Sequence, residues 1–156
     1  MSEKRELHAS VVHDGKIYAI GGTNGLDSLD RVEVYDPQAN SWQRVASMPQ
    51  GRARHAAVVI GGKIYVTGGE DSEERALNSV CVYDPQADLW TQLASMSTAR
   101  DRHACAAVGG KLYVFGGLDD WAEALNTAEV YDPASGSWAQ GPSLTSARES
   151  AVAVAL

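Results

Sequence analysis

Two arginines of this sequence have a side chain and a position suited to binding a carboxylate. Arg54 and Arg102 lie 48 residues apart (102 − 54), each just before a short apolar segment, and Ser150 takes the next position in the series. A guanidinium group can donate two parallel hydrogen bonds to a carboxylate. Because serine stands at the third position, the pattern does not require arginine everywhere. We therefore predict that Arg54 and Arg102 bind a partner's acidic group, with Ser150 beside them.

Histidines and a second set of arginines also recur, and their regularity favours a structural role. No carboxylate or thiolate recurs beside the histidines at the spacing of a metal site, so we predict a structural hydrogen bond for each imidazole. The second arginines are predicted to join neighbouring units through hydrogen bonds. The histidines are His8, His55 and His103, and the arginines are Arg5, Arg52, Arg100 and Arg148.

No other pattern of reactive residues rises above chance. There is no Ser-His-Asp set, glycine-rich phosphate loop or paired-carboxylate motif. The two cysteines, Cys81 and Cys105, occupy different positions of the repeat, so we predict packed thiols rather than a disulfide or a metal knuckle. The sequence therefore predicts no catalytic residue, no metal site and no cofactor.

Composition narrows the class of partner. The chain has 156 residues, 44% of them hydrophobic, and a formal net charge of −7. A negative chain repels both nucleic-acid backbones and anionic membranes, so neither is an expected partner. No apolar run approaches the roughly 18 to 20 residues of a membrane span, and no signal peptide is recognisable. The expected location is the cytoplasm.

The elements that position these residues begin with a segment that occurs three times. Each copy reads Gly-Lys, an aliphatic residue, Tyr, three further residues and a final glycine, and the copies cover residues 15–22, 62–69 and 110–117. A Tyr-Asp-Pro triplet and a tryptophan follow each copy, with a step of 48 residues between their positions. The tyrosines are Tyr35, Tyr83 and Tyr131, and the tryptophans are Trp42, Trp90 and Trp138. A period of this length predicts a tandem array.

Each unit contains four predicted strands, A to D, and nothing in it has helical spacing. The units cover about residues 7–47, 54–95 and 102–143, and residues 150–156 repeat strand A once more. A lone four-stranded sheet cannot bury both faces, whereas sheets arranged around an axis can. We therefore predict an all-β protein of three propeller blades and one extra strand, half of a six-bladed ring. The repeated tryptophans should anchor blade packing.

The repeat resembles the kelch repeat over practically the whole chain. The resemblance is carried by Arg-x-x-His, the glycine pair, Val-x-Val-Tyr-Asp-Pro and the Ser-Trp or Leu-Trp pair. The sequence of the repeats is most similar to that of kelch-like adaptors that present substrates to cullin ubiquitin ligases, although their companion dimerisation domains are absent from this sequence. The resemblance implies a protein or peptide partner. It also implies that Arg54 and Arg102 match loop arginines that contact acidic peptides.

The B–C loops are predicted at residues 23–31, 70–79 and 118–127, and the D–A loops at residues 49–54, 97–102 and 145–150. Partner binding is predicted on the face that carries them, because these loops vary while the opposite turns are near-copies. Trp121 is the only tryptophan outside the repeated position, and it is either an exposed anchor or folded back on its own blade. Asn24 and Arg75 belong to the same loops and complete the predicted partner-binding set. Acidic residues form an outer rim: Asp27, Asp30, Glu70, Asp71, Glu73, Glu74, Asp119, Asp120 and Glu123.

An enzyme is the alternative from another class. Kelch propellers include copper oxidases of the galactose oxidase type and sialic acid mutarotases. A copper site needs converging tyrosine, histidine and cysteine side chains, whereas the repeat already uses the tyrosines here.

Three blades are too few to close a wheel, since propellers have four to eight. One expectation is a homodimer that completes six blades, in which the tail of one chain, residues 151–156, replaces strand A of its partner, residues 7–12. The reverse exchange is the second possibility. The third is that the chain is a piece of a longer protein.

Overall fold

The computed structural model describes residues 4–153, which form twelve short strands and no helix. The strands are β1 Ala9–His13, β2 Lys16–Ile20, β3 Val32–Asp36, β4 Ser41–Val45, β5 Ala56–Ile60, β6 Lys63–Thr67, β7 Val80–Asp84, β8 Leu89–Gln92, β9 Ala104–Val108, β10 Lys111–Phe115, β11 Ala128–Asp132 and β12 Ser137–Gln140. Within residues 4–153 there is accordingly no helix that could cross a membrane.

The strands form three antiparallel sheets of four, in the orders β1-β2-β3-β4, β5-β6-β7-β8 and β9-β10-β11-β12. We call them blades 1, 2 and 3, and in each blade the four strands in chain order are strands A, B, C and D. Strand β5 adjoins both β1 and β9, so these three are the inner strands of the blades. This arrangement confirms the predicted all-β fold and its three propeller blades.

Tight turns set the register of each inner hairpin. In blade 1, Asp14 and Gly15 have φ of +50° and +69°, and β1 then pairs with β2 from His13 opposite Lys16 to Ala9 opposite Ile20. Positive φ at both central residues of a two-residue turn matches the natural twist of the strands. Blades 2 and 3 use glycine pairs at the same turn.

Two apolar cores lie between the blades. In each core, strands B and C of one blade pack against strands B and C of the next. The first contains Tyr18, Ile20, Val32, Val34, Met48, Ile64, Val66, Cys81 and Tyr83, and the second contains Tyr65, Val80, Met96, Cys105, Leu112, Val114 and Tyr131. Cys81 and Cys105 are free and buried, and burial raises the pKa of their thiols to about 11 and about 12. The prediction of packed thiols is confirmed.

The repeated aromatic residues join neighbouring blades. The rings of Tyr18 in blade 1 and Tyr83 in blade 2 lie 6.2 Å apart in an edge-on arrangement. The Nε1 atoms of Trp90 and Trp138 each donate a hydrogen bond of 2.8 Å to a carbonyl oxygen of the preceding blade, at Ala46 and Ala94. The predicted anchoring role of these tryptophans is confirmed.

The two positions after strand B require glycine because another backbone segment approaches them closely. Gly68 has φ of +53°, and a Cβ there would meet the Arg100 carbonyl oxygen at 2.4 Å. The same oxygen accepts a hydrogen bond of 2.9 Å from the Gly69 amide. Glycine thus lets the D–A segment lie against the sheet of the preceding blade.

The predicted extra strand A is only partly described. Ser150 N donates to Arg102 O at 2.7 Å, but residues 150–153 belong to no strand. Residues 154–156 lie outside the described residues, so the pairing of this segment remains a prediction.

Candidate functional site

A chain of backbone hydrogen bonds runs across the ends of the inner strands. Leu7, Arg54, Arg102 and Ser150 all have φ between +49° and +55°. The amide of each later residue donates to the carbonyl oxygen of the one before, at 2.9, 2.9 and 2.7 Å. Non-glycine residues rarely adopt this conformation, so this series of hydrogen bonds fixes the backbone positions from which these side chains extend. Arg54 and Arg102 consequently line one cleft of about 350 Å³, which we call the mouth.

Both mouth arginines already have carboxylate partners in the chain. Arg54 Nη1 lies 2.6 Å from Glu70 Oε2, and the Glu70 side chain is 9% exposed. Arg102 Nη1 lies 2.9 Å from Glu149 Oε2, in a pair whose side chains are 33% and 42% exposed. Exposed ion pairs contribute little to stability. Arg102 is therefore the arginine whose present partner an incoming carboxylate can replace most easily.

Asp101 is a buried carboxyl group next to these pairs. It is 7% exposed, and its Oδ1 lies 3.5 Å from Arg102 Nε. Burial, reinforced by the negative charge of Glu70, raises the pKa of Asp101 to about 6, although Arg102 and Arg54 act in the opposite direction. The repeat does not predict a carboxyl group at this position, because Ala53 stands at the equivalent position of the preceding repeat.

The Asp101→Asn variant is expected to unfold at a higher urea concentration at neutral pH. The folded pKa is raised, so this carboxyl stabilises the fold only while protonated, and that contribution is lost as pH rises from about 4 to above about 6. Removing the charge should increase the free energy of unfolding by about 3 kcal/mol at about pH 7.5 and by less at about pH 5. Equal stability of the two proteins at both pH values would contradict this.

The three B–C loops are built by side chains at equivalent positions. Asn24 Oδ1 accepts hydrogen bonds from the Leu26 and Asp27 amides at 2.9 and 2.8 Å. Asp71 and Asp119 accept comparable bonds in the next two loops. Asn24 thus shapes its own loop, and its contact with a partner remains a prediction.

Arg75 is an exposed cation held inside its own loop. Its Nη2 lies 2.7 Å from Asp71 Oδ2 and also contacts Glu73, and its side chain is 66% exposed. The hydrogen bond with Asp71 raises the pKa of Arg75. The charge is available at the surface in a restricted orientation.

Exposed apolar side chains mark the tips of two B–C loops. Trp121 is 84% exposed, so it does not fold back on its blade. Leu26 is 86% exposed at the equivalent position in blade 1, and Glu73 takes this position in blade 2. Leu26 was not among the predicted binding residues, although its alignment with Trp121 would have identified it. Arg75 and Trp121 line a cleft of about 740 Å³ between the loops of blades 2 and 3.

Hydrogen bonds between loops hold this face together. Ser28 N donates to Ser72 Oγ at 2.9 Å, joining the B–C loops of blades 1 and 2. Ala76 N donates to Asp120 Oδ1 at 2.8 Å, joining those of blades 2 and 3. A surface fixed in this way loses little conformational entropy on binding.

Two of the repeated histidines, His55 and His103, are buried beneath the glycine pairs, whereas His8 is exposed. His103 Nε2 lies 2.8 Å from Thr67 Oγ1, which confirms the predicted structural hydrogen bond there. His55 lacks this partner, because Ile20 stands in place of Thr67. Burial, with a contribution from the nearby arginines, lowers the pKa of both imidazoles to about 3. Within residues 4–153, no group of three or more His, Cys, Asp or Glu side chains is arranged to hold a metal ion.

Four-stranded blades joined through repeated aromatic residues define a repeat protein of the β-propeller class. The KLHDC2/KLHL20/DRC7 Kelch-repeats domain model matches residues 7–155. The chain belongs to the kelch-repeat family.

Individual relatives match over shorter stretches. The chain is 49% identical over 49 residues to Kelch-like protein 7 of Rattus norvegicus and 41% identical over 49 residues to Kelch-like protein 33 of Homo sapiens. Each match covers 31% of this chain and only 8% or 9% of the relative. The solved structure of YjhT superposes with a TM-score of 0.81 at 20% identity, over 93% of this chain and 54% of that one. This likeness shows the fold.

Proposed function

We propose that this kelch domain binds a protein or peptide segment on the face formed by the B–C and D–A loops. The observation that supports it most directly is that this face combines exposed apolar tips, Leu26 and Trp121, with the mouth arginines on hydrogen-bonded loops. An apolar anchor within a polar rim is typical of protein interfaces. The cytoplasm is the proposed location.

The proposed ligand carries an acidic group that binds Arg102. This group would take the place of Glu149, whose ion pair with Arg102 is largely exposed to solvent. Glu149 would then be an internal competitor for the same guanidinium. Use of the domain as a substrate-recruiting adaptor of a ubiquitin ligase is the further proposal that comes with the resemblance to kelch-like adaptors.

Selection from a random peptide display library should enrich sequences with Asp or Glu. Arg102→Ala is expected to weaken the selected peptides by at least about tenfold, because the charged hydrogen bonds are lost. Glu149→Gln should tighten them by about fivefold, because the competitor is removed. Isothermal titration calorimetry measures both effects.

Lys63→Ala is the matched control, since it removes one exposed positive charge from the opposite face of blade 2. Selected peptides that bind Arg102→Ala and Lys63→Ala equally well, or that lack acidic residues, would contradict the proposal.

We also propose that two copies associate to complete six blades. The described chain leaves one face of blade 3 and one face of blade 1 uncovered, with Val108 55%, Ile17 38% and Trp42 36% exposed. Apolar surface of this kind favours association. Additional blades in a longer chain are the rival explanation. Sedimentation equilibrium across the micromolar range measures the association.

A further inference from the structure

Four arginines occupy one repeat position, but only three of them are buried. Arg5, Arg52 and Arg100 each insert a guanidinium group between two backbone carbonyl oxygens of a blade, which we call the arginine slot. In blade 1, Arg5 Nη1 lies 2.9 Å from both Gly21 O and Arg31 O. In blade 2, Arg52 Nη1 lies 2.8 Å from Gly68 O and 3.1 Å from Ser79 O. In blade 3, Arg100 Nη1 lies 2.8 Å from Gly116 O and 3.3 Å from Thr127 O. Each blade therefore has one slot, and each slot is filled.

Arg148 is the fourth arginine, and its backbone is already in the position that the others use between two blades. The carbonyl oxygens of Arg52, Arg100 and Arg148 each accept a hydrogen bond of 2.9 Å from the second glycine of the preceding blade's pair. Arg52 and Arg100 then extend into the slot of the following blade. The Arg148 side chain is exposed, and its Nη2 donates to Ser146 Oγ at 2.9 Å.

The uncovered faces repeat the two halves of an internal seam. The open face of blade 3 is an apolar groove of about 290 Å³ that includes Tyr113, Phe115 and Leu144. Tyr113 stands at the position of Tyr18 and Tyr65, which meet the strand C tyrosine of the next blade at 6.2 and 6.3 Å. On the open face of blade 1, Tyr35 stands at the position of those strand C tyrosines.

A hydrogen-bond donor and acceptor complete the match. Trp42 stands at the position of Trp90 and Trp138, whose indole groups donate to Ala46 O and Ala94 O. Pro142 stands at the position of these two alanines and retains the carbonyl oxygen. The occupant that fits the open face of blade 3 is accordingly blade 1 of a second copy.

One obstacle to this seam is that the slot of blade 1 is already occupied. Arg5 Nη2 lies 2.8 Å from Glu33 Oε2, and the two side chains are 0% and 1% exposed. Arg5 already fills this buried site, so an incoming guanidinium group has to displace it, and the displaced cation must return to solvent because burial without a partner is costly. Arg5 and the incoming arginine must therefore compete for Glu33.

We propose that Arg5 is a placeholder, which Arg148 of a second copy displaces from the slot of blade 1 when two copies associate. The proposal rests on the proposed association of two copies and adds its controlling contact. Arg5 keeps the buried Glu33 neutralised in the single chain, and it holds back association until Arg148 replaces it. In the closed ring, Arg148 makes the contacts that Arg52 and Arg100 make at the internal seams.

Sedimentation equilibrium of the full chain and three variants tests this. Arg148→Ala is expected to weaken association by at least about tenfold without changing the stability of the single chain, because this side chain is exposed. Arg5→Gln is expected to tighten association by about tenfold or more, because the competitor is gone. Lys63→Ala, in the middle blade, should match the parent chain.

The outcomes separate the two proposals. If the parent chain associates and Arg148→Ala associates equally well, the proposal that Arg148 displaces Arg5 is wrong, while the proposal that two copies associate stands. If neither the parent chain nor Arg5→Gln associates, both are wrong. A monomeric parent with a dimeric Arg5→Gln supports the placeholder. If circular dichroism shows that Arg5→Gln does not fold, the comparison of Arg148→Ala with Lys63→Ala decides.

Discussion

Gly68→Ala is expected to lower the free energy of unfolding by about 4 kcal/mol, a large part of the 5–15 kcal/mol typical of a domain. The added Cβ would lie 2.4 Å from Arg100 O and 2.7 Å from His103 Cε1, at a residue whose φ of +53° already disfavours a side chain. Relief of the clash would require the D–A segment to move off blade 2. Urea unfolding followed by tryptophan fluorescence measures the change.

Gly61→Ala is the control that separates conformational strain from steric clash. Gly61 has a similar φ, +58°, but no atom outside its immediate neighbours lies within 4 Å of the place that an added Cβ would take. This variant should lose only about 1 kcal/mol. Equal losses for the two variants would show that the close approach of the Arg100 carbonyl contributes nothing.

Acidification to about pH 5 is expected to destabilise the protein through its buried histidines. The pKa values of His55 and His103 are lowered to about 3 in the folded protein, against 6.5 ordinarily, so the unfolded chain binds more protons throughout this interval. Stability therefore falls as pH drops below 6.5, by about 2 kcal/mol per histidine at about pH 5. Urea unfolding at about pH 7.5 and about pH 5 tests the sign and the size.

Asp101 acts in the opposite direction over part of this range. Because its pKa is about 6, Asp101 becomes protonated between the two pH values, and this raises the free energy of unfolding by roughly 1.4 kcal/mol. The three groups together therefore lower the free energy of unfolding by about 3 kcal/mol. His103→Gln should reduce the pH dependence by about 2 kcal/mol, whereas Asp101→Asn should make it steeper. A parent protein equally stable at both pH values would mean that these imidazoles are not buried as neutral groups.

Much of the fold was predictable because each blade is specified locally and three times over. Turn residues, alternating apolar positions and the glycine pairs all indicated the same four strands, and the structure contains them. The joining role of Arg52 and Arg100 was also predictable, since a residue required at every seam recurs at every seam. The predicted binding roles of Arg54, Arg102, Trp121, Asn24, Arg75 and Ser150 remain predictions.

The candidate site was harder to anticipate because its character depends on residues distant in the sequence. The ion pairs of Arg54 with Glu70 and of Arg102 with Glu149 join residues 16 and 47 positions apart. No spacing rule links such pairs. Asp101 was not predicted because Ala53 stands at its position in the preceding repeat, whereas the exposed Leu26 could have been predicted from its alignment with Trp121.

The blade, its strands and the family follow from the amino-acid sequence alone, because these depend on contacts within one repeat and on residues that recur after 47 or 48 positions. Only the folded chain shows which of four equivalent arginines is exposed and which carboxylates meet the mouth arginines. Side chains of the same type differ in exposure because a neighbouring blade covers some of them and leaves others open to solvent. Burial in turn changes the free energy of a charged group far more than its residue type does.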